Sequence, residues 1–470
     1  MEPPSQPSQR MEVHSRIKYS LSAGSPSTRV KSLHDTLAEI GPTCVKIGVT
    51  RISDITHMDR LYIPNYSVVL PGTEDSIWVY NGKGTTRAHA KLSALMEAVE
   101  RYSSLSSTHG RNFVQGSYSD LSKSYNKVLH PAEVVEPVYS DYNEEHSIMD
   151  FLPGFDLLNG EEVLVPAEIA LYRYSPKSPS VSVFPYFHTN GLASGNVLEE
   201  AICHALCEVI ERDAVSLADL CASCIQYNML EKIIDSLKKA KTVLPIAINI
   251  EDRFVDDTSI FSDVDISEMA RQFEPAKKLL ERFSLSEIPL LIKNITQKDI
   301  GIPTFIASSI EWLSQDYGYF AKGYGTHPDS RIALTRAITE VSQTRAANIQ
   351  GARDDLKKIR YKQNDELYKR KWQFVPTSLS LTQLYTHKKN SIDFNQIKSW
   401  VNNDILDDIN LILCNLKKAG LKKVIIVDLT IPTIGIPVVR AIVPGLETFE
   451  VTNSIMGDRA RNTFRDIYQI

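Results

Sequence analysis

Two apolar periods alternate along this chain, and the switches between them fall near glycine. Leu33, Leu37 and Ile40 share one face of an amphipathic helix entered from a loop at Ser27. Val45–Ile52, Tyr66–Leu70 and Ile77–Tyr80 are short apolar runs that read as strands, and Asn81-Gly82 ends the last of them. A helical pattern then covers Thr86–Leu105. Phe151–Pro166 reads as a hairpin, because Asn159-Gly160 stands between two apolar runs. A second helix starts at Asn196, with Glu199 three residues on in a capping-box arrangement. Lys232–Phe283 mixes charged helical stretches with an apolar run at Val243–Ile250. Ile288–Ile292, Phe305–Ile310 and Tyr317–Ala321 are strand-like and precede a third helix. Asp354–Lys371 is charge-dense, as a solvated helix or linker is. Val424–Leu429 and Pro437–Val443 are buried-type strands around a Pro/Gly turn.

One helical pattern is written three times. Ser93 to Arg101 carries Glu97 and Glu100, His204 to Arg212 carries Glu208 and Glu211, and Arg336 to Thr344 carries Glu340. Each copy follows a glycine-containing loop: Asn81–Gly84, Asn190–Gly195 and Lys322–Gly325. The fold class expected is α/β (α+β), with three repeated strand–Gly loop–helix units converging on one site. The i, i+3 spacing puts paired carboxylates on one helix face. Such pairs also occur on solvated faces as ordinary ion-pair partners. Here they share a register and sit beside Leu95, Val99, Leu206, Val209, Ile338 and Val341, too apolar a setting for a free surface. Crowded carboxylates repel unless a hard cation or protons neutralise them, and oxygen-only ligands suit Mg²⁺ shared with nucleotide phosphates. Glu200, His204, Glu208 and Glu211 line one stripe, and Arg336 and Glu340 stand i, i+4. Carboxylates for Mg²⁺ and guanidiniums for phosphate oxygens are the two charges a triphosphate needs. Gly82, Gly84, Gly191 and Gly195 would let backbone N–H groups approach phosphates. No Walker A loop or protein-kinase signature is present, so an ATP site here is of a non-P-loop kind.

Composition narrows the partners. The chain has 470 residues, 43% of them hydrophobic, and a formal net charge of -5, which gives no reason to expect nucleic-acid binding. No stretch approaches the ~20 apolar residues of a membrane span. Six cysteines in so long a chain are no disulfide framework, and a reducing cytoplasm is the expected compartment. Cys203 and Cys207 read as small buried hydrophobes, and Cys221-Ala-Ser-Cys224 as packing, with a sulfur relay as its alternative.

The residues so assembled resemble the YcaO family. Asn81-Gly-Lys-Gly84 with Ser93, Glu97, Glu100 and Arg101 resembles its first ATP-binding helix. Asn196, Glu200, His204, Glu208, Glu211, Arg212 and Asp213 resemble its second, and Gly323 to Pro328 with Arg336 and Glu340 its third. Asp428–Pro432, Gly435–Arg440 and Val443–Gly445 resemble its C-terminal strands, so the likeness runs over roughly residues 27 to 450.

The resemblance implies a YcaO-type fold and a non-P-loop ATPase that phosphorylates the oxygen of a peptide backbone amide. Attack by a Cys, Ser or Thr side chain then gives an azoline, and attack by external sulfide a thioamide. It implies Mg²⁺- and ATP-binding roles for Glu97, Glu100, Glu200, Glu208, Glu211 and Glu340. It implies nucleotide contacts for Ser93, Asn196, His204, Arg212 and Arg336, with Arg29 and Thr36 in phosphate- and nucleotide-contacting places nearer the N-terminus. Azoline-forming members end in a Pro-rich tail, and here no proline follows Pro444. The expectation is therefore the thioamide-forming branch, resembling the methanogen proteins that make thioglycine in methyl-coenzyme M reductase. A peptide or protein substrate, a sulfur donor, a TfuA-type partner and a homodimer go with it. The domain expectation is a loosely ordered tail over 1–26, a YcaO domain over 27–450 with a less regular insertion near 225–290, and a tail over 451–470. Arg459, Arg461 and Arg465 read as helix-surface charge. Azoline formation, and a Mg²⁺/nucleotide-binding regulator without amide chemistry, are the alternatives.

Overall fold

A computed structural model describes residues 11–19, 27–71, 77–105, 111–222, 262–310, 320–350, 391–448 and 455–468. Three sheets and the helices laid on them build the molecule. The first sheet is antiparallel, in the order β1 (Arg51–Asp54), β2 (Asn65–Pro71), β3 (Ile77–Lys83). The second joins β4 (Val114–Gly116), β5 (Met149–Asp156), β6 (Glu161–Pro166), β7 (Leu192–Ser194), β13 (Ile425–Asp428) and β14 (Val438–Ile442). Its order is β4-β5-β13-β14-β7, with β6 closing the hairpin on β5. The third runs β11-β10-β9-β8-β12, from β8 (Asp263–Asp265), β9 (Leu291–Asn294), β10 (Thr304–Ile310), β11 (Phe320–Thr326) and β12 (Ser391–Asp393).

The longer helices are α1 (Leu33–Lys46), α2 (Arg87–Ser104), α3 (Leu198–Ala222), α4 (Glu274–Leu285), α5 (Ser330–Gln350), α6 (Ile405–Lys418) and α7 (Asp458–Tyr468). Thr86 caps α2 by accepting from the His89 N–H, and Ser32 caps α1 through the Asp35 N–H. Three apolar cores follow from this arrangement. One lies between α1, α2 and the β5–β6 hairpin, one between α3, α6 and the buried faces of β13 and β14, and one under α4 and α5. Ile425, Ile426 and Val427 are all buried because β13 is an inner strand covered on both faces.

Several expectations need correction. Val45–Ile52 is not a strand: α1 runs on to Lys46, and pairing begins only at Arg51, which faces Val69. Ile288–Ile292 moves to Leu291–Asn294, where it pairs with β10. The capping box of Asn196 and Glu199 does not form. Glu199 instead accepts from the His14 N–H at 2.8 Å and pairs with Arg16 at 3.0 Å. Through Glu199, and through Lys18 paired with buried Asp408 at 2.5 Å, residues 11–19 are anchored to the body of the protein. Val243–Ile250, Asp354–Lys371 and Cys224 lie outside the described residues, as does the Cys221 side chain.

Arg459 is no surface charge. Its Nε and Nη2 make two parallel 2.9 Å hydrogen bonds to Asp213, which has no exposed surface, and Nη1 reaches Asp299. Beside it the Glu447 carboxylate accepts from the Gly457 and Ala460 N–H groups, each at 2.8 Å, and so caps the first turn of α7. The 458–468 helix is thereby fixed to α3, one residue beyond Arg212. Replacing Arg459 with Ala leaves a buried carboxylate without its partner. Urea unfolding of Arg459→Ala should show a loss of about 3 kcal/mol. Arg459→Lys should recover only part of it, because an ammonium cannot make the forked pair.

Candidate functional site

The three repeated helices are each entered from a strand: β3 into α2, β7 into α3, β11 into α5. Strand and helix lie nearly against each other. A Cβ added to Gly82 would come within 2.1 Å of the Ala94 amide nitrogen on α2, and one on Gly325 within 1.9 Å of the Ala333 carbonyl on α5. Close approach of each helix to its own strand is what these two glycines provide.

The carboxylates of the three helices act on one another electrostatically, although the one group of three or more possible metal-ligand atoms within 4.8 Å of one another among the described residues is Cys203, His327 and Asp408. Glu100 is 7% exposed, and burial pushes its pKa up to about 8; Glu208 and Glu97 add to the rise while Arg101 opposes it. Glu211 is likewise pushed up to about 8, chiefly by burial, with Arg212 opposing and Glu340 and Glu208 reinforcing. Burial also raises Glu208, which feels Arg212, Arg101, Arg440 and Glu340. Glu340 itself is ion-paired with Lys83 at the end of β3. Glu97, Glu100, Glu208, Glu211 and Glu340 therefore form one electrostatic group. Its cations are Arg101, which lies 3.5 Å from both Glu97 and Glu100, with Arg212, Arg440 and Lys83.

This donor set fits a hard divalent cation. Every donor is a carboxylate oxygen, and two of the acids are pushed up to about 8, chiefly by burial and further by their acidic neighbours. Phosphate has a place too. Arg440 Nε is buried without a hydrogen-bond acceptor and so has an N–H to offer to an anion, while Arg101 Nη1 makes only its 3.5 Å ion pair with Glu100.

Other residues expected at the site form a second group beside the first. Arg29, Glu200, His204 and Arg336 line one small cavity with Cys203, His327 and Asp408. Glu200 is occupied there: it accepts from the Val30 N–H at 2.7 Å, the Asn196 N–H at 2.9 Å and Arg29 at 3.1 Å. It holds the N-terminal segment against α3. His204 lies well below the usual histidine range because it is buried, with Arg336, Arg29 and Lys83 adding to the effect, so its ring is neutral. Arg336 also donates to the Thr326 carbonyl at 3.3 Å. Thr36 is buried in the first turn of α1, its hydroxyl bonded to the Ser32 carbonyl at 3.0 Å. Ser93 is half-buried on α2, one turn before Glu97. Cys203 and Cys207 are buried thiols, as expected.

Sequence reasoning gave no site role to Lys83, Arg440 or Gln343. Lys83 had a signal, since it stands between two glycines of a repeated loop. Arg440 is 2% exposed and is held by the His188 carbonyl at 3.0 Å, while His188 bonds to Glu136 at 2.7 Å. Nothing in its strand marks it as a partner of helices far away in sequence. Gln343 stands where the second helix has Glu211, and it donates to the Asn81 carbonyl at the end of β3.

Among the described residues no helix is long and apolar enough to cross a membrane. An uncharacterised protein of Methanothermobacter thermautotrophicus is 32% identical over 91% of this chain and 97% of its own length. A protein encoded in the tfuA 3′ region of Rhizobium leguminosarum bv. trifolii is 28% identical over 93% of this chain and 95% of its own. Among solved structures, YcaO from Methanopyrus kandleri bound with AMPPCP and Mg²⁺ shares the fold, with a TM-score of 0.63, 22% identity and coverage of 92% of this chain and 95% of that one. A heterocyclase in complex with substrate and cofactor gives a TM-score of 0.67 at 20% identity over 94% of this chain, which spans 55% of that protein's length. The family described as YcaO cyclodehydratase, ATP- and Mg²⁺-binding, matches residues 81–447. Those residues hold all three repeated helices and the five clustered carboxylates, and the chain belongs to the YcaO family, with ATP and Mg²⁺ as its cofactors.

Proposed function

We propose that this protein uses ATP to phosphorylate the oxygen of a peptide backbone amide and that a sulfur nucleophile then converts that amide into a thioamide. The expected product is thioglycine in a protein such as methyl-coenzyme M reductase. The observation that carries the reading is the enclosure of five carboxylates from three helices by Arg101, Arg212, Arg440 and Lys83. Glu97, Glu100, Glu208, Glu211 and Glu340 would hold Mg²⁺, which when bound neutralises charge on the phosphates. Arg440 offers an N–H group to phosphoryl oxygens. Arg29, Glu200, His204 and Arg336, which line one cavity, would bind the rest of the nucleotide together with Asn196, Ser93 and Thr36.

The balance is simple. The amide oxygen takes the γ-phosphoryl group, and the bond to ADP breaks. Hydrosulfide adds to the amide carbon. The carbon–oxygen bond then breaks, phosphate leaves with its electron pair, and loss of a proton leaves the thioamide. Sulfide would come from a donor protein, and the Rhizobium relative's place beside tfuA supports a TfuA-type partner. The cyclodehydratase description of the family supports a second reading, azoline formation on a ribosomal peptide. In that case a side chain of the substrate replaces hydrosulfide and water is lost overall.

Mass spectrometry separates the two. With ATP, Mg²⁺, sulfide and glycine-containing peptides, the expected product has one oxygen exchanged for sulfur. A peptide lighter by one water and formed without any sulfur source would establish the azoline reading, and ATP hydrolysis that no peptide stimulates would leave only a nucleotide-binding role.

Removing a carboxylate tests the cluster itself. Glu97→Gln and Glu208→Gln should each lower ATP turnover at least about a hundredfold, the scale on which preorganised charge acts. Both variants should fold, and neither should melt below wild type without nucleotide, because repulsion falls. Wild-type turnover in both would remove these residues from the metal site.

Nucleotide and metal should also act together on stability. A ligand that binds only the folded state adds RT ln(1 + [L]/Kd), roughly 2.7 kcal/mol at a hundredfold excess over Kd. ATP with Mg²⁺ should therefore raise the melting temperature, and ATP with EDTA should raise it much less. Equal shifts would argue against a carboxylate-held cation.

A further inference from the structure

We propose that the acceptor polypeptide docks as an added strand on the open edge of β3, and that its following residues reach the carboxylates from there. This deepens the amide-activating reading and rests on it.

The register determines which main-chain groups face outward. The Asn65 and Val69 carbonyls accept from the Ile55 and Thr50 N–H groups, each at 3.0 Å, on the β1 side. Their opposite numbers across β2 and β3 are Lys83 and Val79, with Asn81 between them. In an antiparallel pair these residues turn both N–H and C=O away from the neighbour. Among the described residues β3 ends its sheet, so those groups point off the edge. Among the described residues, Val79 N–H and C=O have no partner. The Asn81 carbonyl is engaged, but by the side-chain amide of Gln343. An amide N–H already sits on this edge where a pairing strand would put one.

Exposed edges are usually guarded by charge, proline or a covering element. Here α5 covers the edge from Asn81 to Lys83 through Gln343 and Glu340, while Trp78 to Tyr80 carry no charge and Val79 is 47% exposed. The aromatic surface beside it is held in place. Tyr172 meets Trp78 edge-on at 5.8 Å, and the Arg173 guanidinium lies 4.2 Å over Trp78 and 5.3 Å from the ring of Phe187. Phe187 is 54% exposed, and Arg173 has φ +51°, a strained conformation for arginine. Edge-on rings and a guanidinium offer contact to a peptide without demanding one side chain.

The edge also leads to the chemistry. Lys83 lies four residues past Val79, about 13 Å along a strand, and its ammonium pairs with Glu340. A reaction at the backbone amide of a glycine leaves an enzyme little but main chain to read there, and edge pairing reads main chain.

The test is a binding experiment without turnover. Short random peptides with a central glycine are selected by phage display on the full chain in AMPPCP and Mg²⁺, then made with single backbone N-methyl groups. Methylation at alternate residues should weaken binding by about tenfold or more, the effect of losing one or two main-chain hydrogen bonds, with little effect in between. Val79→Pro removes the outward N–H at a position where an edge strand tolerates proline. It should weaken binding similarly and leave the thermal shift by ATP and Mg²⁺ unchanged. The proposal falls if no peptide is selected, if methylation shows no alternation, or if Val79→Pro turns a sedimenting dimer into a monomer, which would give the edge to a second copy. If Val79→Pro fails to fold, the methylation pattern decides alone. A peptide that pairs with β3 yet never gains sulfur overturns the reaction instead, because selection in AMPPCP requires no chemistry.

Discussion

Five carboxylates kept in a largely buried space repel one another, and the structure around them is organised by that repulsion. Two of them hold protons to about pH 8 in the absence of a cation. Moving any one to the surface would relieve the strain, but each sits on a helix whose neighbouring residues are buried apolar ones. Ala98 and Val99 flank Glu97 and Glu100, Val209 and Ile210 lie between Glu208 and Glu211, and Val341 follows Glu340. Turning one of these acids outward would expose those neighbours, at ~25 cal/mol for each Å² of apolar surface returned to water. The result is a group of buried acids and bases suited to both Mg²⁺ chemistry and phosphate chemistry.

The cations are graded in the same way. Arg101 lies within 3.5 Å of both acids of its own helix, so the first repeat partly neutralises itself. Lys83 neutralises Glu340 from a different element. Arg440 is fully enclosed, and burial pulls its pKa down to about 10, so it still carries its charge at neutral pH. Its position depends on His188 and Glu136, outside the repeated units. The second core, which packs α3 on β14, therefore also brings this guanidinium to the carboxylates.

The repeated helices were legible in the sequence because a carboxylate register is a local pattern. Glu97, Glu100, Glu208, Glu211 and Glu340 lie within electrostatic reach of one another, and strands such as Tyr66–Leu70 and Val424–Leu429 sit within a residue or two of where alternation and apolar runs put them. What local pattern could not give was the use of single polar residues across distance. Glu199 and Glu200 are adjacent and look alike in the chain, yet one holds Arg16 and the other Val30, Asn196 and Arg29, because two N-terminal segments cross the start of α3. Arg459 resembles Arg461 in sequence, but only Arg459 faces a buried aspartate. Helical periodicity places a residue on a face. It does not say what covers that face.

Asp213 shows why those long-range contacts matter for the site. Glu211, Arg212 and Asp213 are consecutive, so they point in different directions around α3. Glu211 enters the carboxylate group, and Arg212 faces both Glu208 and the ring of Tyr324. Asp213 points away, to Arg459 and to the Glu447 N–H at 2.9 Å. A helix held on the far side by a buried forked ion pair cannot rotate to relax the crowding on the near side. The clamp at Asp213 and the cluster at Glu208 and Glu211 are two faces of one constraint: the carboxylates remain close because α3 has nowhere else to turn.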